Sequence, residues 1–440
     1  MWLLPFFHNV AALCLNLYYR VSRDGNAVPS DGPVLLVANH PNSLLDPALV
    51  VYAARRPVRF LAKSTLFQMP FIGWLVRGAG SIPVYRRQDD PSQIQRNLTM
   101  FSEVQAAIAG GTAVGVFPEG ISHSEPSLAA LKSGAARIAL GAATILGRDF
   151  PIVPIGLVFR DKRVFRSRAH AIVGRQVQWR DLAMRGENDP EAARDLTNRI
   201  EESLRWITIN LEGWADAPIV ETAEAVYAAE LELPSEPAER IARIRRITGR
   251  LDELRQSGSD TWKQLASDLE LHARTLNWFG LSPRRLRLLP NTRSAIRWSV
   301  RRLPLAVVAA TGIWIVGAAI FWVPYRVTGY IGSAAKKKDP VLESTSKVIG
   351  GGLVFALWIL LLSAAVALRW GARAGAVALV ALPIAAVVAL LVREKLSNAI
   401  REARWFFLIA RRSGVIAELR SRQMRLATSL DEIWRPGKKR

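Results

Sequence analysis

At 440 residues the chain is long enough for one sizeable domain and further elements, since single domains usually run to about 100–200 residues. Half of its residues are hydrophobic, and Lys plus Arg outnumber Asp plus Glu by 59 to 37, a formal charge of +22. That balance calls for an anionic partner, whether nucleic acid, an anionic membrane surface or a phosphorylated substrate. The single cysteine, Cys14, excludes an internal disulfide framework and a cysteine-rich zinc site.

Residues 1–19 carry no charge. No basic residue precedes this apolar stretch, no small-residue cleavage site follows it, and His8, Asn9 and Asn16 interrupt it, which argues against a signal peptide and against a full membrane span. Residues 1–30 are therefore expected to form an apolar anchor helix at a membrane interface, with a buried helix of the neighbouring domain as the alternative.

From about 31 to 175, the apolar runs VLLVAN, AVGVFP, PIVPIGLVF and HAIVG alternate with helix-like stretches at 92–109 and 128–147. The alternation predicts an α/β domain over 31–215, a mixed sheet flanked by helices. A helical segment at 216–300 follows, broken at Pro234 and Pro237. In the last third, 303–325, 348–368 and 374–392 are uncharged and close to the ~20 residues needed to cross a bilayer core, so 301–395 reads as a transmembrane helical region of two to three spans. Only Arg369-Trp370-Gly371-Ala372-Arg373 separates the last two stretches, which predicts a tight helical hairpin. Pro304 and Pro324 leave a re-entrant course open for the first. Basic residues flank both ends of the region, so charge counting leaves its orientation open, and 396–440 reads as a basic tail.

The chemistry concentrates in the first half. Asn39-His40-Pro41-Asn42-Ser43-Leu44-Leu45-Asp46-Pro47 follows the run Val34–Ala38, so His40 stands where a buried strand empties into a loop, a good place for a general base. Asp46 is placed to hold the other ring nitrogen and fix the tautomer; Asp-Pro before ALVVYAARR also reads as a helix cap.

With these residues the chain resembles the glycerol-phosphate and lysophosphatidate acyltransferase family, whose first motif is a histidine followed by a nearby aspartate. Three further blocks agree in order: Gly80-Ser81-Ile82-Pro83-Val84-Tyr85-Arg86, Phe117-Pro118-Glu119-Gly120 and Val153-Pro154-Ile155-Gly156. The resemblance covers roughly 30–180. Two departures stand out: five residues separate His40 from Asp46 where the family usually has four, and Ile121-Ser122-His123 replaces the usual Thr-Arg-Ser. The variant is similar to the branch with Asn-His-Pro-Asn and Phe-Pro-Glu-Gly-Ile-Ser-His motifs and a membrane-embedded C-terminal region.

The resemblance implies that His40 and Asp46 are catalytic and that Arg86, Gly80, Glu119, Gly120, Ser122 and Lys63 line the substrate site, Arg86 by binding the acceptor phosphate and Glu119 either by bonding acceptor hydroxyls or by supporting the site. It implies transfer of a fatty acyl group from acyl-CoA or acyl-carrier protein to glycerol-3-phosphate, lysophosphatidate or another lysophospholipid, without a metal or other cofactor. Expected partners are that acceptor, that donor and membrane lipid, with no nucleic acid. The implied location is an integral membrane protein with its acyltransferase domain facing the cytoplasm, in a bacterial inner membrane. A metal held by His40, Asp46, Glu119 and His123 competes weakly, because no His-Glu-x-x-His spacing is present. The absence of a Gly-x-Ser-x-Gly elbow argues against a serine acyl-enzyme. A non-catalytic basic protein binding anionic lipid or nucleic acid would explain the charge but leave the ordered motifs without a purpose.

Overall fold

The structure, a computed structural model, describes all residues except 1–3, 70–71, 86–95, 214–215, 235, 257–259, 288–291, 339–341, 412 and 435–440. The chain divides into two compact units. The first comprises Met1–Trp214 with Glu236–Arg245 and Asp339–Thr345, and the second comprises Ala215–Ser235, Arg246–Lys338 and Ser346–Arg440.

The first unit is built on a seven-stranded sheet. Its strands are β1 (Arg20–Gly25), β2 (Val34–Ala38), β3 (Arg59–Lys63), β4 (Ile82–Val84), β5 (Ala113–Val116), β6 (Ile152–Phe159) and β7 (Arg168–Val173), in the order β1-β7-β6-β2-β5-β3-β4. All pairs are parallel except β6 with β7, so the sheet is mixed. The expected runs at 34–39, 113–118, 151–159 and 170–174 coincide with β2, β5, β6 and β7. β2 lies between β6 and β5 and is fully buried, which explains its unbroken apolar sequence.

Helices α1 (Leu4–Tyr18), α2 (Leu45–Ala54), α3 (Ile72–Gly78), α4 (Arg96–Ala109), α5 (Gly134–Leu146) and α6 (Pro190–Ile207) complete the unit. Leu35 and Val37 of β2 share one core with Val104 and Ile108 of α4, Ile138 and Leu140 of α5 and Leu196 and Ile200 of α6. Strand alternation turns Val34, Leu36 and Ala38 to the opposite face. α6 starts as its sequence requires: Asp189 accepts hydrogen bonds from Glu191 N and Ala192 N at 2.9 and 3.0 Å, and Pro190 takes the first turn.

Two boundaries differ from expectation. Residues 1–30 are not one anchor helix, because Arg20–Gly25 pairs with β7 at the edge of the sheet and brings Leu15, Tyr18 and Tyr19 into the interior. Leu13 and Leu17 on α1 remain exposed. The stretch at 396–440 is not a loose tail, since Ser413–Trp434 is a helix with Gln423 and Leu430 fully buried.

The second unit is helical: α7 (Ala217–Glu230), α8 (Pro237–Gln256, whose first half belongs to the first unit), α9 (Asp260–Phe279), α10 (Pro283–Arg287), α11 (Thr292–Lys338), α12 (Leu342–Trp370), α13 (Ala372–Arg411) and α14 (Ser413–Trp434). Gln423 ties α14 to α7 and α10 by donating to Glu230 Oε1 at 2.6 Å and to the Pro283 carbonyl at 3.0 Å. Among the described residues, three helical segments, Ala310–Lys337, Glu343–Trp370 and Ala372–Ser397, are long and apolar enough to cross a membrane. α11 runs unbroken past positions 304 and 324, so the prolines there do not produce a re-entrant turn. The expected hairpin is present: Gly371 alone separates α12 from α13, at φ +90, a conformation that glycine adopts without a Cβ penalty.

Candidate active site

Because β2, β5 and β6 are parallel, the loops that follow them open at the same edge of the sheet, and the strand order places them side by side. β7 and β1 run the other way, so the β6–β7 hairpin and the chain entering β1 join the same edge. His40 follows β2, Glu119 follows β5, Lys162 lies in the β6–β7 hairpin and Tyr19 precedes β1.

His40 Nδ1 lies 2.8 Å from Asp46 Oδ2. The same oxygen accepts the Asn42 backbone N–H at 2.6 Å. Asp46 is fully buried, its other oxygen has no partner among the described residues, and burial pushes its carboxyl above the ordinary range against the opposing His40 hydrogen bond. Asp46 is not the cap of α2. That place belongs to Leu44, and the Asp46 side chain turns back to the loop because two N–H donors meet it there. The longer His-Asp spacing is absorbed at Ser43, which takes a left-handed φ of +50 and is held through its N–H by Ser122 Oγ at 2.9 Å.

The imidazole of His40 stacks on Phe117, with centroids 4.1 Å apart, and Phe60 stacks on Phe117 from further along the sheet. Phe60 fits because position 115 is glycine: a Cβ there would stand 2.3 Å from its ring. With Nδ1 engaged by Asp46 and no hydrogen bond to Nε2 among the described residues, Nε2 is left to take a proton from a substrate hydroxyl.

Of the two roles expected of Glu119, acceptor contact or support of the site, the geometry favours support. Glu119 is 2 % exposed, and both oxygens face protein donors: Oε1 accepts His40 N–H at 2.7 Å, while Oε2 accepts Ala129 N–H at 2.9 Å and is bonded to His123 Nε2. It braces the His40 peptide rather than presenting itself to an acceptor. Gly120 turns the chain at φ +71, with the Lys132 side chain packed where a Cβ would be. Ser122 joins the two loops, accepting Ser43 N–H and donating to the His40 carbonyl at 3.0 Å. Gly80 turns α3 into β4 at φ +65, its carbonyl accepting from Arg59 Nε at 2.7 Å, and Lys63 ends β3. Arg86 lies outside the described residues. Among the described residues no group of three or more His, Cys, Asp or Glu is arranged to hold a metal ion.

The sequence reasoning passed over Asn42, Tyr19, Lys162 and Ser344. Asn42 is fully buried and donates through Nδ2 to Tyr19 Oη at 3.0 Å, while Ser344 Oγ donates to its Oδ1 at 2.6 Å. Lys162 donates to the Pro41 carbonyl at 2.6 Å and to Ser124 Oγ at 3.2 Å, and burial lowers its pKa. Asn42 sits inside a motif that drew attention to its neighbours. Nothing local marks the other three, which converge only through the fold.

The Acyltransferase family model matches residues 20–158, the stretch that holds the strand-end histidine, its buried aspartate and the Phe-Pro-Glu-Gly turn. Over this stretch the chain is similar to 1-acyl-sn-glycerol-3-phosphate and glycerol-3-phosphate acyltransferases. A 1-acyl-sn-glycerol-3-phosphate acyltransferase of Chlamydomonas reinhardtii is 33 % identical over 143 residues, covering 32 % of this chain and 39 % of its own. Glycerol-3-phosphate O-acyltransferase 1 of Saccharomyces cerevisiae is 24 % identical over 292 residues, covering 46 % of this chain and 38 % of its own. The chain thus spans less than two-fifths of the length of either relative. A solved structure of the 1-acyl-sn-glycerophosphate acyltransferase PlsC from Thermotoga maritima aligns with a TM-score of 0.33 at 19 % identity, over 45 % of this chain and 77 % of that one.

Proposed function

We propose that this protein is a membrane-bound glycerolipid O-acyltransferase that moves a fatty acyl group from a thioester to the hydroxyl of glycerol-3-phosphate or lysophosphatidate. The observation that carries the reading is the contact of His40 Nδ1 with Asp46 Oδ2 at 2.8 Å, with Nε2 unengaged among the described residues at a strand-end crevice. Asp46 fixes the imidazole tautomer and stabilises the imidazolium. His40 Nε2 takes the acceptor hydroxyl proton as the oxygen attacks the thioester carbonyl. The tetrahedral intermediate then expels the thiolate, which recovers the proton from His40 as the free thiol. No acyl-enzyme and no cofactor enters; the donor, acyl-CoA or acyl-carrier protein, is a co-substrate.

Arg86 grips the acceptor phosphate through its planar fork, with Lys63 adding positive charge. The domain works at the cytoplasmic face of a bacterial inner membrane, where Lys336 to Lys338, Arg393 and Lys395 suit the positive-inside rule.

The test is acyl transfer by the full chain in detergent or lipid, with both acceptors and both donors. At least one pair should turn over, and His40→Ala should lower that rate by a factor on the order of 100 or more while the protein stays folded. Turnover by no pair, or unchanged turnover in the variant, overturns the reading.

A further inference from the structure

We infer that Ser344, in the first turn of α12, is a positioning residue of the acyltransferase site that holds the His40–Asp46 dyad through Asn42. The inference rests on the reading of that dyad as catalytic. By its sequence, Glu343-Ser344-Thr345 should be a polar turn in water at the start of an apolar helix. Instead all three are buried, at 7 %, 2 % and 4 % exposure, and they belong to the acyltransferase unit.

Their contact with the site is specific. Ser344 Oγ donates to Asn42 Oδ1 at 2.6 Å, and Asn42 Nδ2 donates to Tyr19 Oη at 3.0 Å, so both ends of the Asn42 amide are held. Tyr19 Oη in turn donates to the Lys162 carbonyl at 2.6 Å, and Glu343 Oε2 lies 3.5 Å from Arg163 Nε. What the amide clamp fixes is the Asn42 peptide, whose N–H reaches Asp46 Oδ2, the oxygen that also meets His40. Asp46 has few donors to lose, because its Oδ1 is buried without a partner among the described residues.

Removing the Ser344 hydroxyl leaves Asn42 Oδ1 buried and unpaired, which loosens the loop. With a weaker Asn42 N–H contact, the Asp46 carboxylate becomes a stronger partner for imidazolium, so the dyad takes up a proton more readily. The acidic limb of the rate profile then moves to higher pH. No substrate contact is lost, so the acceptor KM stays in place. The helix that follows this turn is one of the three candidate membrane spans among the described residues.

The experiment compares full-length wild type, Ser344→Ala, Ser344→Cys and Thr345→Val, with melting temperature measured alongside kinetics. Thr345 is the neighbouring buried position, and its hydroxyl has no hydrogen-bond partner among the described residues, so Thr345→Val controls for packing. The expected result is a fall of roughly tenfold in kcat for Ser344→Ala, an unchanged acceptor KM and an acidic limb at higher pH. Ser344→Cys, with its weaker donor, should fall between, and Thr345→Val should behave as wild type. Ser344→Cys carries the comparison per folded molecule if the alanine variant folds poorly. Equal kcat and pH profiles for Ser344→Ala and Thr345→Val overturn the inference. Absence of turnover in the wild type, or full activity in His40→Ala, instead overturns the functional reading on which it rests.

Discussion

Glu119→Gln separates a brace from a substrate ligand. The buried carboxylate accepts from His40 N and Ala129 N and is bonded to His123 Nε2. Glu125 N–H donates to His123 Nδ1 at 3.1 Å, which assigns the neutral ring proton to Nε2, so Glu119 faces three donors. Glutamine keeps the shape but supplies one carbonyl oxygen and one NH2. If the oxygen stays with His40, Ala129 N–H and His123 Nε2–H face an amide donor; if it turns the other way, His40 N–H does. Each buried N–H left unpaired costs about 1–3 kcal/mol, and the cheaper orientation leaves one, so the variant should lose about 1–3 kcal/mol and melt several degrees lower. Because the His40 peptide shifts, kcat should fall about tenfold, equivalent to about 1.4 kcal/mol, with the acceptor KM little changed. Calorimetry or a dye-based melt, beside steady-state kinetics with the acceptor varied, reads both. A raised acceptor KM with an unchanged melting temperature would refute the brace and restore Glu119 as an acceptor ligand.

Asp46→Asn should separate stability from activity. Since burial raises the Asp46 pKa, the folded state binds that proton more readily than the unfolded chain, and the charge costs stability at every pH above the raised value. The variant should therefore melt no lower than wild type at pH 7.5, with wild type gaining relative to it as pH falls toward about 4 and turnover lost throughout; a much lower melting point at pH 7.5 would contradict this. Arg86→Lys keeps the charge and loses the fork, so it should raise the acceptor KM less than Arg86→Ala, whose kcat/KM should fall about 10- to 150-fold; an effect confined to the donor KM would reassign Arg86. The full chain should stay in the membrane pellet through an alkaline carbonate wash, given three helices of spanning length, and its release would argue against insertion.

The four buried strands that carry the centre of the sheet were legible because parallel strands read as short unbroken apolar runs. β1 was not, since Arg20, Ser22, Arg23 and Asp24 suit an edge strand with one wet side and give no apolar signal. β3 and β4 are too short and mixed to stand out. At the site, His40 and Asp46 could be found because the dyad is nearly local, six positions apart. Ser344 could not, because 302 positions separate it from Asn42 and a serine beside a membrane helix looks like any solvated turn. Glu119 was located with two roles open, acceptor contact or support of the site: a motif gives the position of a carboxylate, and only the fold shows that its lone pairs are already occupied. The candidate membrane spans were plain from length and lack of charge.

The contact between Ser344 and Asn42 supports a topology that charge counting leaves open. Ser344 is bonded to Asn42, so if Glu343–Trp370 crosses a membrane its start should lie on the side of the His40 loop. Glu343–Trp370 has 28 residues, about 42 Å of helix, more than a hydrocarbon core of ~30 Å, so a crossing would carry Trp370 to the opposite side. Beyond the turn at Gly371, Ala372–Ser397, about 39 Å over 26 residues, is long enough to return, which would bring Ser397 back to the starting side. The charges agree: Arg369 and Arg373 alone flank the turn, while Arg393 and Lys395 precede Ser397 and Arg401 and Arg404 follow it. In a Cys14→Ala background, Ala372→Cys should react with a membrane-impermeant maleimide in intact cells, and Ser397→Cys only after the membrane is opened. Labelling of both from the same side would mean that these two helices do not cross as a pair. Labelling in the reverse order would place the start of α12 away from the catalytic loop and sever Ser344 from the site.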